Sequence, residues 1–499
     1  MTKKVVKGSL WTLVGQVVPL SVSLVATPFV IRLLGAEGYG VLILVALIPA
    51  YLGFADFGMG MAATKFTSEA FAAGDPEREA RTVRTAAVIS LCVSIPVAVL
   101  IFGFSGPLIS LFKVPGHLAW EASLALKFTA ITFVVNFLNA IFNTPQLARL
   151  RMDLNTLTAS GFRSAGIVAT PIVIYLGGGI LGAVSVLLSA ALLTLAGHMF
   201  ISGRLLPSLF DITIDRSLIR PLLTFGGAVV FVGVAGVILI NVEKGLLAVM
   251  VSVSALAFYT VASTLANMMV LLSYTMIQSL VPAFSQLSGS ESVTQLESLF
   301  ARIVKVCLLG LIPVAAFLFL GARDLIGLWA GPEFASNSTV PFYVLMAGLL
   351  FSVPGYIPYS LLMGTGKASV IAKLYWAELI PYLILVYLCT SNFGIIGTAA
   401  AWSLRVAFDG VVFFILARKT AGADLRIFSG KLRWFFVAVA GYLPLSLVVS
   451  SSGGSVSIIS GLIFLIATAF FIAISWRFIL SAEERYEVMS ILNPVQMLR

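Results

Sequence analysis

Glu243 and Lys244 stand together inside an apolar run. An ionisable side chain at mid-bilayer costs about 2.5–3.5 kcal/mol, so it needs a partner or a wet cavity. Neighbouring helix residues point about 100° apart, so Lys244 is no in-register partner for Glu243. An embedded carboxylate of this kind can take up a proton or bind a cation; a pair near the outer interface would instead snorkel to water. Arg405 and Asp409 have the i, i+4 spacing of an intrahelical ion pair. That pair reads as self-neutralising structure or as a titratable site. Glu378, beside Tyr375 and Trp376, is an isolated acid without an evident partner. Asp56 shares a helical face with Pro49, Gly53 and Gly60, suited to close packing or to ion coupling. Glu243, Asp56, Glu378 and Asp409 are thus the ion-coupling candidates.

The cations at Arg32, Lys127 and Lys244 suit a different task. A guanidinium binds phosphate bidentately, and an ammonium binds it as a point charge. Arg32 equally suits an interfacial anchor. Asn267, in a polar stripe with Tyr259, Ser263, Tyr274 and Gln278, completes the substrate-binding candidates. Asn136, Asn139 and Asn143 form a second stripe, below Lys127, that could line a hydrated path or join helices. Pro19 and Pro28, with Gly15 nearby, should bend the first helix, as a gate or as a static kink.

Other chemistry finds no support. His117 and His198 lack metal-ligand company, and Cys92, Cys307 and Cys389 lie far apart in apolar spans, where they read as small buried hydrophobes. Neither a metal nor a cofactor is expected. No GxxxxGK[ST] pattern occurs, and no gap between apolar runs exceeds about 22 residues, so a soluble catalytic or nucleotide-binding domain has no room.

What must position these residues is a set of membrane helices. The chain is 60% hydrophobic and only 10% charged, against about 25% charge in a soluble domain. Apolar runs long enough to span occur near 8–33, 39–62, 86–110, 119–147, 157–177, 179–202, 221–246, 254–281, 302–322, 340–363, 369–390, 394–416, 433–451 and 456–479. Backbone groups in lipid must be satisfied internally, and the alternation of a barrel is absent, so an all-α polytopic protein with about 14 transmembrane helices is expected. The N-terminal basic-then-apolar stretch is too long for a signal peptide and reads as an uncleaved first helix.

Orientation follows from charge. Of 31 Lys and Arg residues, 25 fall at the N-terminus, in the C-terminal tail, or in the gaps 64–85, 148–164, 203–220, 284–305, 364–373 and 417–434. Those alternate gaps are expected in the cytoplasm, with both termini. The net charge of +10 fits short loops facing anionic lipid rather than nucleic acid.

The chain also resembles itself at an offset of about 215–220 residues. Gly35–Val41 matches Ala255–Val261, Gly179–Ala183 matches the run from Gly394 to Ala399, and Pro145 matches Pro358. Six helices per copy make this a parallel repeat: an N-lobe over 1–212, a C-lobe over 213–422, and two further helices with a tail over 423–499. Such transporters open a site between lobes to each side in turn. The stretch 203–220, with Leu206, Phe210, Ile212, Ile214, Leu218 and Ile219 among Arg204, Arg216 and Arg220, is the connector, lying on the membrane surface or acting as a plain tether.

The stretch Arg32-Leu-Leu-Gly-Ala-Glu-Gly-Tyr-Gly-Val41, followed by Asp56-Phe-Gly-Met-Gly60, resembles the opening of the Wzx-type polysaccharide biosynthesis flippases. These belong to the multidrug/oligosaccharidyl-lipid/polysaccharide exporter superfamily. The resemblance covers essentially the whole chain. It implies movement of a polyprenyl-pyrophosphate-linked oligosaccharide from the cytoplasmic to the outer leaflet of a bacterial or archaeal plasma membrane, driven by H+ or Na+ rather than ATP. It also implies polysaccharide polymerase and glycosyltransferases as partners, beside membrane lipids. Alternatives are an ion-coupled multidrug exporter, whose usual plan stops at twelve helices, or a peptidoglycan-precursor flippase. A membrane-embedded glycan polymerase or ligase is disfavoured because the outer loops are short and hold few acids.

Overall fold

The computed structural model describes residues 2–211, 213–270, 293–421 and 458–474, with short pieces between 280 and 287 and positions 476, 477 and 485. The expected span 433–451, Tyr274, Gln278, Ile212 and most of the tail lie outside these residues. Among the described residues every regular element is helical, and nine helices are long and apolar enough to cross a membrane. The number is below fourteen in part because some of these helices run two expected spans together across a kink.

The chain forms two compact units, Met1–Phe258 and Tyr259–Arg499. The first holds α1 (Thr2–Tyr51), α2 (Met59–Ala72), α3 (Pro76–Gly103), α4 (Ser105–Ser110), α5 (Gly116–Phe142), α6 (Thr144–Ala148), α7 (Met152–Val173), α8 (Gly179–Leu205) and α9 (Arg216–Met250). The division falls inside α10 (Val253–Ala266). The second unit holds α11 (Val293–Ala330), α12 (Pro332–Gly364), α13 (Ala368–Ala421) and α14 (Ile458–Ile474).

The gaps are much shorter than the hydropathy pattern suggests. Most of 64–85 is helical, because Gly74 takes a left-handed turn at φ 69° and Asp75 then caps α3, accepting from the Arg78 N–H at 2.8 Å with Pro76 in the first turn. Likewise α7 starts at Met152, early in the 148–164 gap. Many of the basic residues therefore sit on helix ends rather than in loops.

Among the described residues, three breaks inside otherwise continuous helical runs carry a glycine at positive φ: Gly35, the Gly177–Gly179 turn, and Gly394. Gly179 (φ 57°, ψ −152°) and Gly394 (φ 55°, ψ −130°) share a backbone state that favours glycine. They are also the residues that open the second repeat match. Around Gly394 the chain folds back on itself. The Thr390 and Thr398 hydroxyls meet at 2.9 Å, whereas eight residues of straight helix would span about 12 Å. Beyond Gly179, Glu121 on α5 accepts from the N–H groups of Ile180 and Leu181 at 2.7 and 3.1 Å, satisfying the start of α8.

α1 keeps helical backbone angles through Pro19 and Pro28 and departs from them only at Gly35. Proline removes the hydrogen bond to the carbonyl four residues back. For Pro19 that carbonyl belongs to Gly15, and the Ser160 hydroxyl on α7 donates to it at 2.8 Å. One turn earlier the Thr156 hydroxyl donates to the Trp11 carbonyl at 3.0 Å, and Met152 lies against Gly8. The two helices thus run parallel, 11 beside 156 and 15 beside 160.

The connector is neither a free tether nor a flat surface segment. Leu206, Leu209 and Leu218 are buried among Met59, Val83 and Leu222, while Phe210 and Ile214 stay exposed. Arg84 donates to the carbonyls of Ser208 and Asp211 at 2.8 and 3.1 Å and pairs with Glu77. Asp215 then caps α9. Its bonds from the Ser217 hydroxyl and N–H, with Arg81 and Arg78 close by, hold its carboxyl below the usual carboxylate range.

Candidate functional site

Four acids were candidates for ion coupling, and the fold gives them three kinds of surroundings. Glu378 and Asp409 come together. The reversal at Gly394 sets the two halves of α13 side by side, so Arg405 Nη1 lies 3.2 Å from Asp409 and 3.8 Å from Glu378. All three are largely buried. The guanidinium also sits over the Tyr382 ring at 5.1 Å. Glu378 is therefore not the isolated acid that its sequence neighbourhood suggests. Its partners are 27 and 31 positions away along the chain, beyond any intrahelical spacing. Both Glu378 oxygens and Asp409 Oδ1 are buried without a hydrogen-bond donor among the described residues. Among the described residues two carboxylates thus share one guanidinium, an imbalance that one proton or one monovalent cation would cancel.

Glu243 lies on α9 and is buried to 1% exposure; Lys244 beside it is half-buried. Tyr51, at the end of α1, reaches the turn of α9 that carries Glu243. Its hydroxyl donates to the Asn241 carbonyl at 2.6 Å and accepts from the Gly245 N–H at 3.1 Å. Those two backbone groups are an i, i+4 pair of α9, so the phenol inserts into the helix ladder beside Glu243. Such an insertion is a recognised origin of helix bending.

Asp56 does not lie on a continuous helix. α1 ends at Tyr51, Gly53–Asp56 forms a single 3₁₀ turn, and Phe57 and Gly58 are left-handed at φ 48° and 63°. The Asp56 carboxylate accepts from the Gly58 N–H at 2.6 Å and, at 3.5 Å, from that of Gly60, ahead of α2. The face shared with Pro49, Gly53 and Gly60 is therefore not formed. The break presses against α9: a Cβ on Gly226 would run into the Phe57 carbonyl oxygen.

The substrate-binding candidates occupy separate helices. Arg32 is exposed near the end of the first arm of α1. Lys127, half-buried on α5, lies over the Phe102 ring at 5.0 Å. Asn267 is exposed just past α10. Of the asparagine stripe, Asn139 donates to the Ala191 carbonyl at 3.2 Å and joins α5 to α8, whereas Asn136 is exposed. Pro19 is buried and Pro28 half-buried in α1.

The remaining sulfur and imidazole groups form no centre. Among the described residues no cluster of His, Cys, Asp and Glu could hold a metal. The cysteines are free; Cys92 is exposed, against the expectation that all three are buried, and Cys307 and Cys389 are half-buried. His198 is buried against Gln146, and His117 pairs with Glu37 at 3.5 Å.

One residue was misplaced by the charge pattern. Arg163 falls in the basic gap 148–164 of the sequence, yet α7 begins at Met152, so at 1.5 Å per residue Arg163 stands about 16 Å along the helix. The helix-start signal that would have moved it is Asp153 in the first turn.

The profile of the polysaccharide biosynthesis protein family matches residues 5–288. A protein of Shigella flexneri described as an O-antigen transporter is 22% identical over 413 residues, covering 82% of this chain and 96% of its own length. Among solved structures, the lipid II flippase MurJ in an inward closed conformation aligns with a TM-score of 0.69 at 15% identity, over 95% of this chain and 99% of its own. An inward-facing MATE family multidrug resistance transporter of the MOP superfamily aligns at 0.68 and 15%, over 82% of this chain and 98% of its own. At such identity the structural likenesses establish the fold: that of the MOP transporters.

Proposed function

The chain belongs to the polysaccharide biosynthesis protein family, and from that premise we propose that it is a flippase. It moves a polyprenyl-pyrophosphate-linked oligosaccharide from the cytoplasmic to the outer leaflet of a prokaryotic inner membrane, with both termini in the cytoplasm. The observation that carries this reading is the match to the Shigella O-antigen transporter across nearly all of that protein's length. The repeats 1–212 and 213–422 supply alternating access, and 423–499 adds the last helices. It is a transporter, not an enzyme. Glycosyltransferases and a polymerase act before and after it on the same glycan.

Coupling is assigned to Glu243, Glu378 and Asp409, with Asp56 at the helix break. Glu378 and Asp409 exchange H+ or Na+ against the fixed charge of Arg405. Arg32, Lys127, Lys244 and Asn267 contact the anionic, hydrogen-bonding head group, and α1 flexes about Pro19 and Pro28. The test is deletion of the gene in its native host. Surface polysaccharide should be lost, and its lipid-linked precursor should accumulate on the cytoplasmic leaflet. Normal surface polysaccharide without accumulation would refute the reading. A second reading, a peptidoglycan-precursor flippase, is favoured by the MurJ alignment over 95% of this chain. Under that reading, deletion instead arrests wall synthesis and lyses the cell.

A further inference from the structure

Arg163 lies near the middle of α7, about 16 Å from one end and 15 Å from the other at 1.5 Å per residue. Those distances are far beyond the helix-end positions from which arginine snorkels to water. The side chain is exposed, and among the described residues it makes no hydrogen bond, ion pair or ring contact. A charge left this way at mid-bilayer faces a wet cavity or a ligand.

Its direction can be derived. Thr156, Ser160 and Arg163 follow spacings of 4 and 3 and so share one face of α7, the face that meets α1. The broad apolar face of α7, with Leu157, Val168 and Ile172 at 60%, 50% and 55% exposure, points the other way. Because α1 and α7 run parallel, residues turned past the contact line on one helix share a groove with residues turned short of it on the other. At 100° per residue, Gln16 and Ser23 turn about 100° and 80° past Gly15, and Arg163 stops about 60° short of Ser160. All three therefore border one side of the α1–α7 seam. Arg163 is level with Val18, between Gln16 and Ser23 in depth. Gln16 is exposed and Ser23 half-buried, and among the described residues neither side chain has a hydrogen-bond partner.

We propose that Arg163, with Gln16 and Ser23, is a mid-membrane binding station for a phosphate or pyrophosphate group passing along the α1–α7 groove. A guanidinium offers paired donors to two phosphate oxygens, while the amide and the hydroxyl add neutral donors at either side. The proposal rests on the flippase reading and adds to it a position for the head group half-way across.

The test uses the full chain in phosphatidylcholine nanodiscs, titrated with farnesyl pyrophosphate as the probe. Farnesol serves as the uncharged control and phosphatidylglycerol as the ordinary phospholipid competitor. Wild type should bind farnesyl pyrophosphate and not farnesol, without displacement by equimolar phosphatidylglycerol. Arg163→Met should bind about 10- to 100-fold more weakly, the loss of a charge-assisted contact, and Arg163→Lys should fall between. Because this arginine has no partner among the described residues, Arg163→Met should melt at or above the wild-type temperature. Equal binding by wild type and Arg163→Met would overturn the site while leaving the flippase reading intact. Displacement by phosphatidylglycerol would reduce it to a lipid contact and overturn it. A lower melting temperature in Arg163→Met would mark a structural arginine. Failure of wild type to bind farnesyl pyrophosphate would remove the functional reading and the site together.

Discussion

Two arginines lie deep in apolar helices of this chain, and the fold treats them oppositely. Arg405 is enclosed: Asp409 and Glu378 flank its guanidinium and the Tyr382 ring covers it. Arg163 is left open beside Gln16 and Ser23, with no counter-charge among the described residues. The cost of burying either cation is similar. A charge compensated inside the fold serves the fold, or a small ion that can alter the balance. A charge left uncompensated is poised for something that arrives from outside.

The comparison breaks most visibly at Arg405. Arg405→Met leaves two buried carboxylates without their cation and should cost about 3–5 kcal/mol, read as a large drop in melting temperature. Adding Glu378→Gln and Asp409→Asn to that variant should restore stability to the wild-type level or above. If Arg405→Met alone melts like wild type, the enclosed cluster contributes nothing to stability, and the contrast with Arg163 disappears. A smaller effect is expected at Ser160. Ser160→Ala withdraws the donor from the carbonyl that Pro19 orphans and should cost about 1–3 kcal/mol. Ser160→Thr, which keeps the hydroxyl, should cost less. An unchanged melting temperature for Ser160→Ala would mean that water already serves Gly15, and that the α1–α7 seam is wetter than its packing implies. Smallest is Tyr51→Phe. The Asn241 carbonyl and Gly245 N–H can then bond each other, so the loss should be only about 0.5–1.5 kcal/mol. A greater loss would show that the phenol supports Glu243 itself, making that acid a second enclosed charge.

Much of the architecture was legible because lipid enforces it: apolar length gave the helices, and the scarcity of charge gave the candidates. The repeat match at Gly179 and Gly394 pointed to two turns with one backbone state. What stayed hidden depends on contacts between segments. The i, i+4 rule finds Arg405 with Asp409, but no spacing rule joins Glu378 to Arg405 across a reversal. Asp56 looks helical because its neighbours are apolar, although Gly58, two residues on, permits a left-handed break with Asp56 as the capping carboxylate. Arg163 was hidden by its own sign. Arg149 and Arg151 lie close before it, so it read as the third member of a basic loop.

The open arginine also bears on how the protein is made. α7 is handicapped as a solitary insertion segment, because a central arginine costs about 2.5–3.5 kcal/mol at the translocon. α8 has no such burden: from Gly179 to Ser202 only His198 can ionise. The turn at Gly177–Gly179 joins them with almost no spacer. The ribosome therefore delivers a weak segment immediately followed by a strong one, and the pair enters the bilayer as a hairpin. A longer linker at that turn should yield misinserted chains long before it disturbs the finished fold.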